Sequence, residues 1–474
     1  MLAGFIIFSV VLSLCIFLFA NPSLNKVLSN IFLVALLALL VFAYLHLGAI
    51  DSLYYKFDSL GVLLSLVLGL LSMATFYHSK LYLKRHQFTA KQEAIYYTSL
   101  IMLVTAMISA YFAENIAILW VSVEATTLFV SILIFHERSK EALEAAWKYL
   151  FVSSVGVALA FIGILFLSIA ASGSGITDLS LTHLLENTHQ MNPVWLKMAF
   201  VLVLTGFSAK MGLFPLHTVA VDAHTVAPPP ISAFISTSLM NVGFLGIFRI
   251  FTLIAQTEIL QWAQNVLLIA GVASVFMSAI QLMRIKHYKR MFAFSSLEHM
   301  GIVALGLGIG GLGYYAAVLH IVFHSLAKAG LFYQIGQMYQ FFKSYWIKDA
   351  AGYFKKNPIG GLSMLLGIIS ILAIPPSGLF VSEFLTFKAM FLAHHYYIAI
   401  FVLLLLTSII YTFAKNAFHL LYDEDSKTQV IEDVKTNPYE TISQFILFGL
   451  LFYLGINPPL FFTDLINAAI AVLN

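Results

Sequence analysis

Long apolar runs separated by short polar connections occupy almost the whole chain. A bilayer's hydrocarbon core takes about 20 residues of helix to cross. On that measure spans fall near 2–20, 29–49, 59–78, 93–112, 115–135, 142–171, 195–221, 228–254, 258–283, 290–310, 313–341, 358–393, 396–421 and 440–473. The pattern predicts an all-α polytopic membrane protein with about fourteen transmembrane helices. The widest polar intervals, 172–194 and 423–439, are too short for a soluble domain. The opening stretch MLAGFIIFSVVLSLCIFLFA lacks the basic start and small-residue cleavage site of a signal peptide, so it reads as the first span.

Proline interrupts three of these runs. Pro215 and Pro228–Pro230 break the chain within and after span 7, Pro375–Pro376 with Gly378 break span 12, and GINPP breaks the last span. The segments KMGLFP and PPSGLFVSEF each set Gly-Leu-Phe beside a proline and an ionisable group, five spans apart. Paired interrupted spans are the sequence mark of inverted-repeat transporters with a site near the midplane.

Composition agrees with the pattern. The 474 residues are 61% hydrophobic and 10% charged, with mean hydropathy +0.92, where soluble proteins carry about 25% charge. The net charge of +3 decides little, because placement of charge sets topology. Lysine and arginine follow the odd-numbered spans: Lys26; Lys80, Lys84, Arg85, Lys91; Arg138, Lys140; Arg284, Lys286, Lys289, Arg290; Lys343, Lys348, Lys355, Lys356; Lys427, Lys435. Only Lys56 and Lys197 lie on the other side, so both termini are expected outside the cytoplasm. A lone cysteine, Cys15, excludes an internal disulfide and a four-thiolate cluster, and no redox centre is expected in this chain.

The apolar spans also hold charge. Lys148, Lys210, Arg249, Lys328, Lys388 and Lys415 lie within or near the ends of spans, with Glu124, Glu144, Glu298 and Glu383. A charge at the helix centre costs about 2.5–3.5 kcal/mol on insertion scales, so Glu124, Lys210, Lys328 and Glu383 unpaired and dry would cost on the order of 10 kcal/mol. They are expected to pair or to line a hydrated interior. His320, His324 and Lys328 recur every fourth residue on one helical face. HIVFH resembles a zinc pair but lacks the glutamate of HExxH, and no metal is expected. The glycine-rich GLGIGGLG joins two spans rather than cradling phosphate, and Arg249 and Lys415 are expected to snorkel toward an interface. The chemistry suggested is proton transfer. Histidine titrates near neutrality, and a glutamate approaching a desolvated lysine would switch a proton on it.

The motifs VSVEATTL, EAAWKYL, FSAKMGLFPLHTVAVDAHTVAPPPISA, KRMFAFSSLEHMG and HIVFHSLAKAGLF carry a resemblance over residues 50–420. The chain resembles the proton-translocating antiporter-like subunits shared by respiratory complex I, Mrp-type cation/proton antiporters and membrane-bound energy-converting hydrogenases. SSLEHMGIVALGLGIGG, HSLAKAGLF and PPSGLFVSEF are most similar to the hydrogenase-4 component F type. Two positions depart from the better-known pumps: Asn241 stands where complex I homologues often carry lysine, and Glu383 where some relatives carry lysine.

The resemblance implies two inverted five-helix repeats and a hydrated polar axis parallel to the membrane. The expected division is 1–92, 93–255 (helices 4–8), 256–422 (helices 9–13) and 423–474. Glu124 would partner a neighbouring subunit, and Lys210 would be the switchable lysine on broken helix 7. His320, His324 and Lys328 would relay protons with Asn241 holding water, and Glu383 would be the terminal site on broken helix 12. His224 would gate the loop after helix 7 beside His217, with Glu144, Lys148, Asp222, Arg249, Glu298 and Lys388 in ion pairs or support. No cofactor is expected in the chain itself; iron–sulfur clusters and a nickel–iron centre would reside in partner subunits. Expected partners are other membrane subunits, a peripheral redox arm, protons (or sodium) and lipid, with no nucleic acid, in a bacterial or archaeal cytoplasmic membrane. The competing reading is an Mrp-type sodium/proton antiporter subunit or a relative serving inorganic-carbon uptake. A redox enzyme in its own right is disfavoured by the single cysteine and the absence of a nucleotide fingerprint.

Overall fold

The computed structural model describes residues 1–173, 175–176, 178–423 and 437–473. Lys427 and Lys435, used in the orientation argument, lie outside the described residues. The first spans are α1 (Leu2–Phe19), α2 (Pro22–Leu45), α3 (Ser59–His86), α4 (Ala90–Tyr111), α5 (Ile116–Ile134) and α6 (Lys140–Ser172). A short helix α7 (Leu181–Asn187) lies in the polar interval that sequence left without structure, and precedes α8 (Pro193–Met211) and α9 (Thr218–Val226). Then come α10 (Pro229–Phe234), α11 (Met240–Ala255), α12 (Leu260–Leu282), α13 (Tyr288–Ile309) and α14 (Leu312–Phe342). The chain continues through α15 (Tyr353–Lys356), α16 (Pro358–Ile371), α17 (Gly378–Leu392), α18 (Tyr396–Tyr422), α19 (Ile442–Ile456) and α20 (Leu460–Ile470).

Among the described residues thirteen helices, α10 and α11 counting as one, are long and apolar enough to cross a membrane. The pair α16 and α17 makes a further, broken crossing. Its halves, of 14 and 15 residues, rise only about 21–23 Å each, less than the hydrocarbon core. The protein is therefore an all-α polytopic membrane protein. Its only sheet among the described residues is a two-stranded ribbon, β1 (Ile50–Ser52) and β2 (Tyr55–Lys56), in a loop.

Helix ends follow local chemistry. Thr89 and Gln92 form a reciprocal capping box at the start of α4, and Asn192 with Pro193 opens α8. α8 stops one residue after Lys210, where Gly212 adopts φ +77°; glycine takes this left-handed conformation without steric cost. The predicted breaks all appear, between α8 and α9, between α16 and α17, and at GINPP between α19 and α20. The first two each contain a cis proline bond, Phe214–Pro215 and Pro375–Pro376.

α13 and α14 sit at the centre: nearly every residue of both is buried, whereas α1, α2 and α18 present many exposed apolar side chains. A helix that is apolar nearly all round and buried is an interior helix, and these two carry buried Glu298, His299, His320, His324 and Lys328. Two expectations need correction. Lys289 is not a solvated loop residue: it lies on the first turn of α13, 1% exposed, and donates to the Ala227 carbonyl at 2.6 Å. Arg249 does not snorkel. It forms an ion pair with Asp58, whose other carboxylate oxygen caps α3 by accepting from Gly61 N–H at 3.1 Å.

Candidate functional site

A row of buried polar groups runs from α5 to α17 through the middle of the bundle. At one end Glu124 on α5 accepts a hydrogen bond from Ser154 of α6 at 2.9 Å. One turn earlier on α6, Tyr149 receives a hydrogen bond from Lys210 Nζ at 3.1 Å, with the ammonium 5.0 Å from the ring centre. Lys210 is 2% exposed and makes no ion pair among the described residues, although it interacts electrostatically with Glu124. Tyr149 thus holds the lysine expected to switch, on the same helix as the Ser154 that donates to Glu124.

The broken end of α8 rests on α11. A Cβ built on Gly243 would meet Met211 N at 2.4 Å and Lys210 C at 2.9 Å, so only glycine allows this approach. Just before it, Ile235–Leu239 forms a π-helical turn. Such turns free backbone groups and are frequent at functional sites; here Tyr111 donates to the Ser238 carbonyl at 2.8 Å. Asn241 follows the turn and is locked to Ser325 of α14 by reciprocal bonds of 3.0 and 3.2 Å.

On α14, Lys328 is fully buried; its amine donates to the Phe292 carbonyl at 2.7 Å and to Ser295 Oγ, both on α13. Glu298, one turn further along α13, is 4% exposed and interacts electrostatically with Lys328. His299 then meets His320: Nδ1 and Nε2 are 3.1 Å apart. The other nitrogen of His320 reaches Ser382 Oγ at 2.9 Å, and His299 Nδ1 lies 3.8 Å from Glu383 Oε1, both partners on α17 just beyond the helix break. His324 stacks obliquely on His299 with centroids 5.3 Å apart and finds no partner for either ring nitrogen.

The predicted residues divide accordingly. Glu124, Lys210, Asn241, Lys328, Glu298, His324, His320 and Glu383 fall on or beside one row. His224 flanks it: fully buried on α9, it contacts the Ser232 carbonyl at 3.1 Å and stacks on Phe332 of α14. His217 lies in the loop of the break, 3% exposed and without a partner for either nitrogen. Others lie apart. Glu144 and Lys148 pair at 2.5 Å on the surface and share a groove with Asp222, which pairs with Arg290 at 3.2 Å. Lys388 is exposed and Arg249 serves Asp58. Sequence reasoning missed His299 and Tyr149. The signal for His299 was its place beside Glu298 in an otherwise apolar span, and Tyr149 stands next to Lys148 with no polar pattern of its own.

His299, His320 and Glu383 bring one ligand atom each within 4.8 Å of one another, a spacing that could hold a cation. The expectation of no metal weighed the HIVFH pair alone, whereas His299 and Glu383 come from neighbouring helices. Chemically the triad can also share a proton, since each member offers a titratable atom within about one water of the next.

The family described as NADH:quinone oxidoreductase/Mrp antiporter, transmembrane, matches residues 113–410. Hydrogenase-4 component F homolog of Methylacidiphilum infernorum is 33% identical over 71% of this chain and 73% of its own length. Hydrogenase-4 component B of Escherichia coli is 26% identical over 71% of this chain, which spans 51% of that longer protein. A chain of the archaeal membrane-bound sulfane sulfur reductase superposes with TM-score 0.87 over 100% of this chain and 97% of that one, at 21% identity, and so shares the fold. With a family match over well over half of its length and a relative at this identity, the chain belongs to the NADH:quinone oxidoreductase/Mrp antiporter transmembrane family.

Proposed function

We propose that this chain is a proton-translocating membrane subunit of a multi-subunit energy-converting complex of the hydrogenase type, related to complex I. Protons move along the row from Glu124 through Lys210 and Lys328 to Glu383, and electron transfer in partner subunits drives them. The observation that carries the reading is the row itself: buried ionisable groups on α8, α13 and α14 between half-buried glutamates on α5 and α17, passing both helix breaks. Buried polar groups without partners are costly in a low-dielectric interior. Both ring nitrogens of His217 and His324, and Nε2 of His299, have no hydrogen-bond partner among the described residues, and internal water is the partner of the right size and chemistry.

Iron–sulfur clusters and a nickel–iron centre belong, in this reading, to a peripheral redox arm and not to this chain. The lysine-rich loops face the cytoplasm and both termini the opposite side of a bacterial or archaeal membrane. The repeats span residues 93–255 and 256–422, with one break in each. Purification through a tag on this chain in mild detergent, with metal analysis of what accompanies it, tests the proposal. Nickel with abundant iron supports it. Iron without nickel points to a complex I-like partner, and neither metal to an ion-driven antiporter that exchanges sodium for protons.

A further inference from the structure

Away from the polar row, a groove of about 780 Å³ opens where α12 and α18 end. Backbone pairing builds one wall. Ile347 N–H donates to the Lys286 carbonyl at 2.9 Å and Tyr288 N–H to the Tyr345 carbonyl at 2.9 Å, which sets Lys286 beside Lys348. Lys415 of α18 completes a cluster of three exposed lysines, none in an ion pair among the described residues. The one carboxylate in the lining, Asp423, is already held by His419 at 2.7 Å, and His419 reaches the Ile347 carbonyl with its other nitrogen at 3.1 Å. Trp346, 49% exposed, stands at the rim; tryptophan favours the membrane–water boundary.

Depth decides what such a groove would receive. Lys415 lies seven residues before the end of α18 at Tyr422, about 10 Å inside the helix end. Along the same two helices lies a second groove of about 400 Å³, lined wholly by apolar side chains that include Ile269, Val272 and Phe276 of α12 and Phe401 of α18. Phe401 is fourteen residues from Lys415 on α18, about 21 Å, a distance on the order of one leaflet's depth. Ile269 is 70% exposed, so this groove opens sideways to the hydrocarbon.

We infer that the lysine groove and the apolar groove together form a binding site for an anionic phospholipid with two phosphates in its headgroup. The lysines hold the phosphates and the α12–α18 groove receives an acyl chain. Basic pockets between membrane helices take such headgroups. A soluble anion would make no use of the apolar groove.

The test uses the intact complex, stripped of lipid in detergent and re-supplied with cardiolipin or phosphatidylethanolamine, with retained lipid read by native mass spectrometry. Attraction by three lysines predicts a preference for cardiolipin on the order of a hundredfold. That preference should collapse in Lys286→Gln/Lys348→Gln/Lys415→Gln, whose exposed positions leave folding intact, as an unchanged melting temperature without lipid would show. A second variant, Val272→Trp, fills the apolar groove and should lower retention with the lysines in place. Equal retention by the triple variant overturns the inference. Full displacement of cardiolipin by 50 mM phosphate, or unchanged retention in Val272→Trp, overturns it as well, by showing a site for anions alone.

Discussion

Replacing Lys328 by methionine separates the transport role of the central lysine from its structural role. Methionine is close in length and flexible enough to fill the same space. The substitution removes two charge-assisted hydrogen bonds, to the Phe292 carbonyl and Ser295 Oγ, worth about 1.5–3 kcal/mol each. It also relieves a buried charge that costs about 2.5–3.5 kcal/mol. The terms nearly cancel, leaving a loss of at most about 3 kcal/mol, so the melting temperature should fall by less than about 10 °C. Transport should suffer far more. Lys328 is the titratable nitrogen between the Asn241–Ser325 pair and Glu298, and losing a positioned acid–base group costs about 10²–10⁴-fold. The assay is proton uptake by the reconstituted complex, followed with a trapped pH-sensitive dye. Lys328→Arg is the control: it keeps the charge but cannot release its proton, so it should assemble normally and still fail to pump. Wild-type flux in either variant would refute the reasoning.

Other outcomes follow from the same geometry. Asp58→Asn weakens the hold on Arg249, and losing a charge-assisted hydrogen bond costs about 1.5–3 kcal/mol; thermal unfolding should show a drop that Thr182→Ala, on α7, does not. Tyr149→Phe removes the hydroxyl that receives the Lys210 proton, and should slow proton flux at least tenfold while leaving assembly unchanged on native gels. His287 caps α13 by accepting from Arg290 N–H at 3.3 Å. Burial, then Lys289 and Arg290, lower its pKa from 6.5 to about 4. The unfolded chain therefore takes up this proton first as pH falls, so the cap's stabilisation is complete above pH 6.5 and is lost as pH falls toward 4. The melting temperature should decline across that window, and decline less in His287→Asn, whose cap does not titrate.

Much of this architecture is written in the chain because the membrane leaves few alternatives. A span must be apolar for about 20 residues, and a break needs proline or glycine, so α8–α9 and α16–α17 were visible in KMGLFP and PPSGLF. Lys210, Lys328 and Glu383 stood out because charge is rare in such runs. Pairings across helices were not visible. Arg249 and Asp58 are 191 positions apart, and nothing local distinguishes an arginine that snorkels from one that finds a half-buried aspartate. Lys289 read as a loop cation because basic residues cluster there, yet the helix begins one residue earlier and turns it inward. His299 was overshadowed by Glu298, since only the packing of α13 against α14 and α17 brings it to His320 and Glu383. Sequence located the ionisable groups; tertiary contact decided which of them share a path.

The central claim is that the row from Glu124 to Glu383 carries protons while electrons pass through partner subunits. Its most direct test is simultaneous measurement of electron transfer and proton translocation by the purified complex in sealed vesicles, comparing wild type with Lys210→Met. The account predicts an assembled complex whose proton movement per electron is lost in the variant. An unchanged proton-to-electron ratio with Lys210 removed would contradict it.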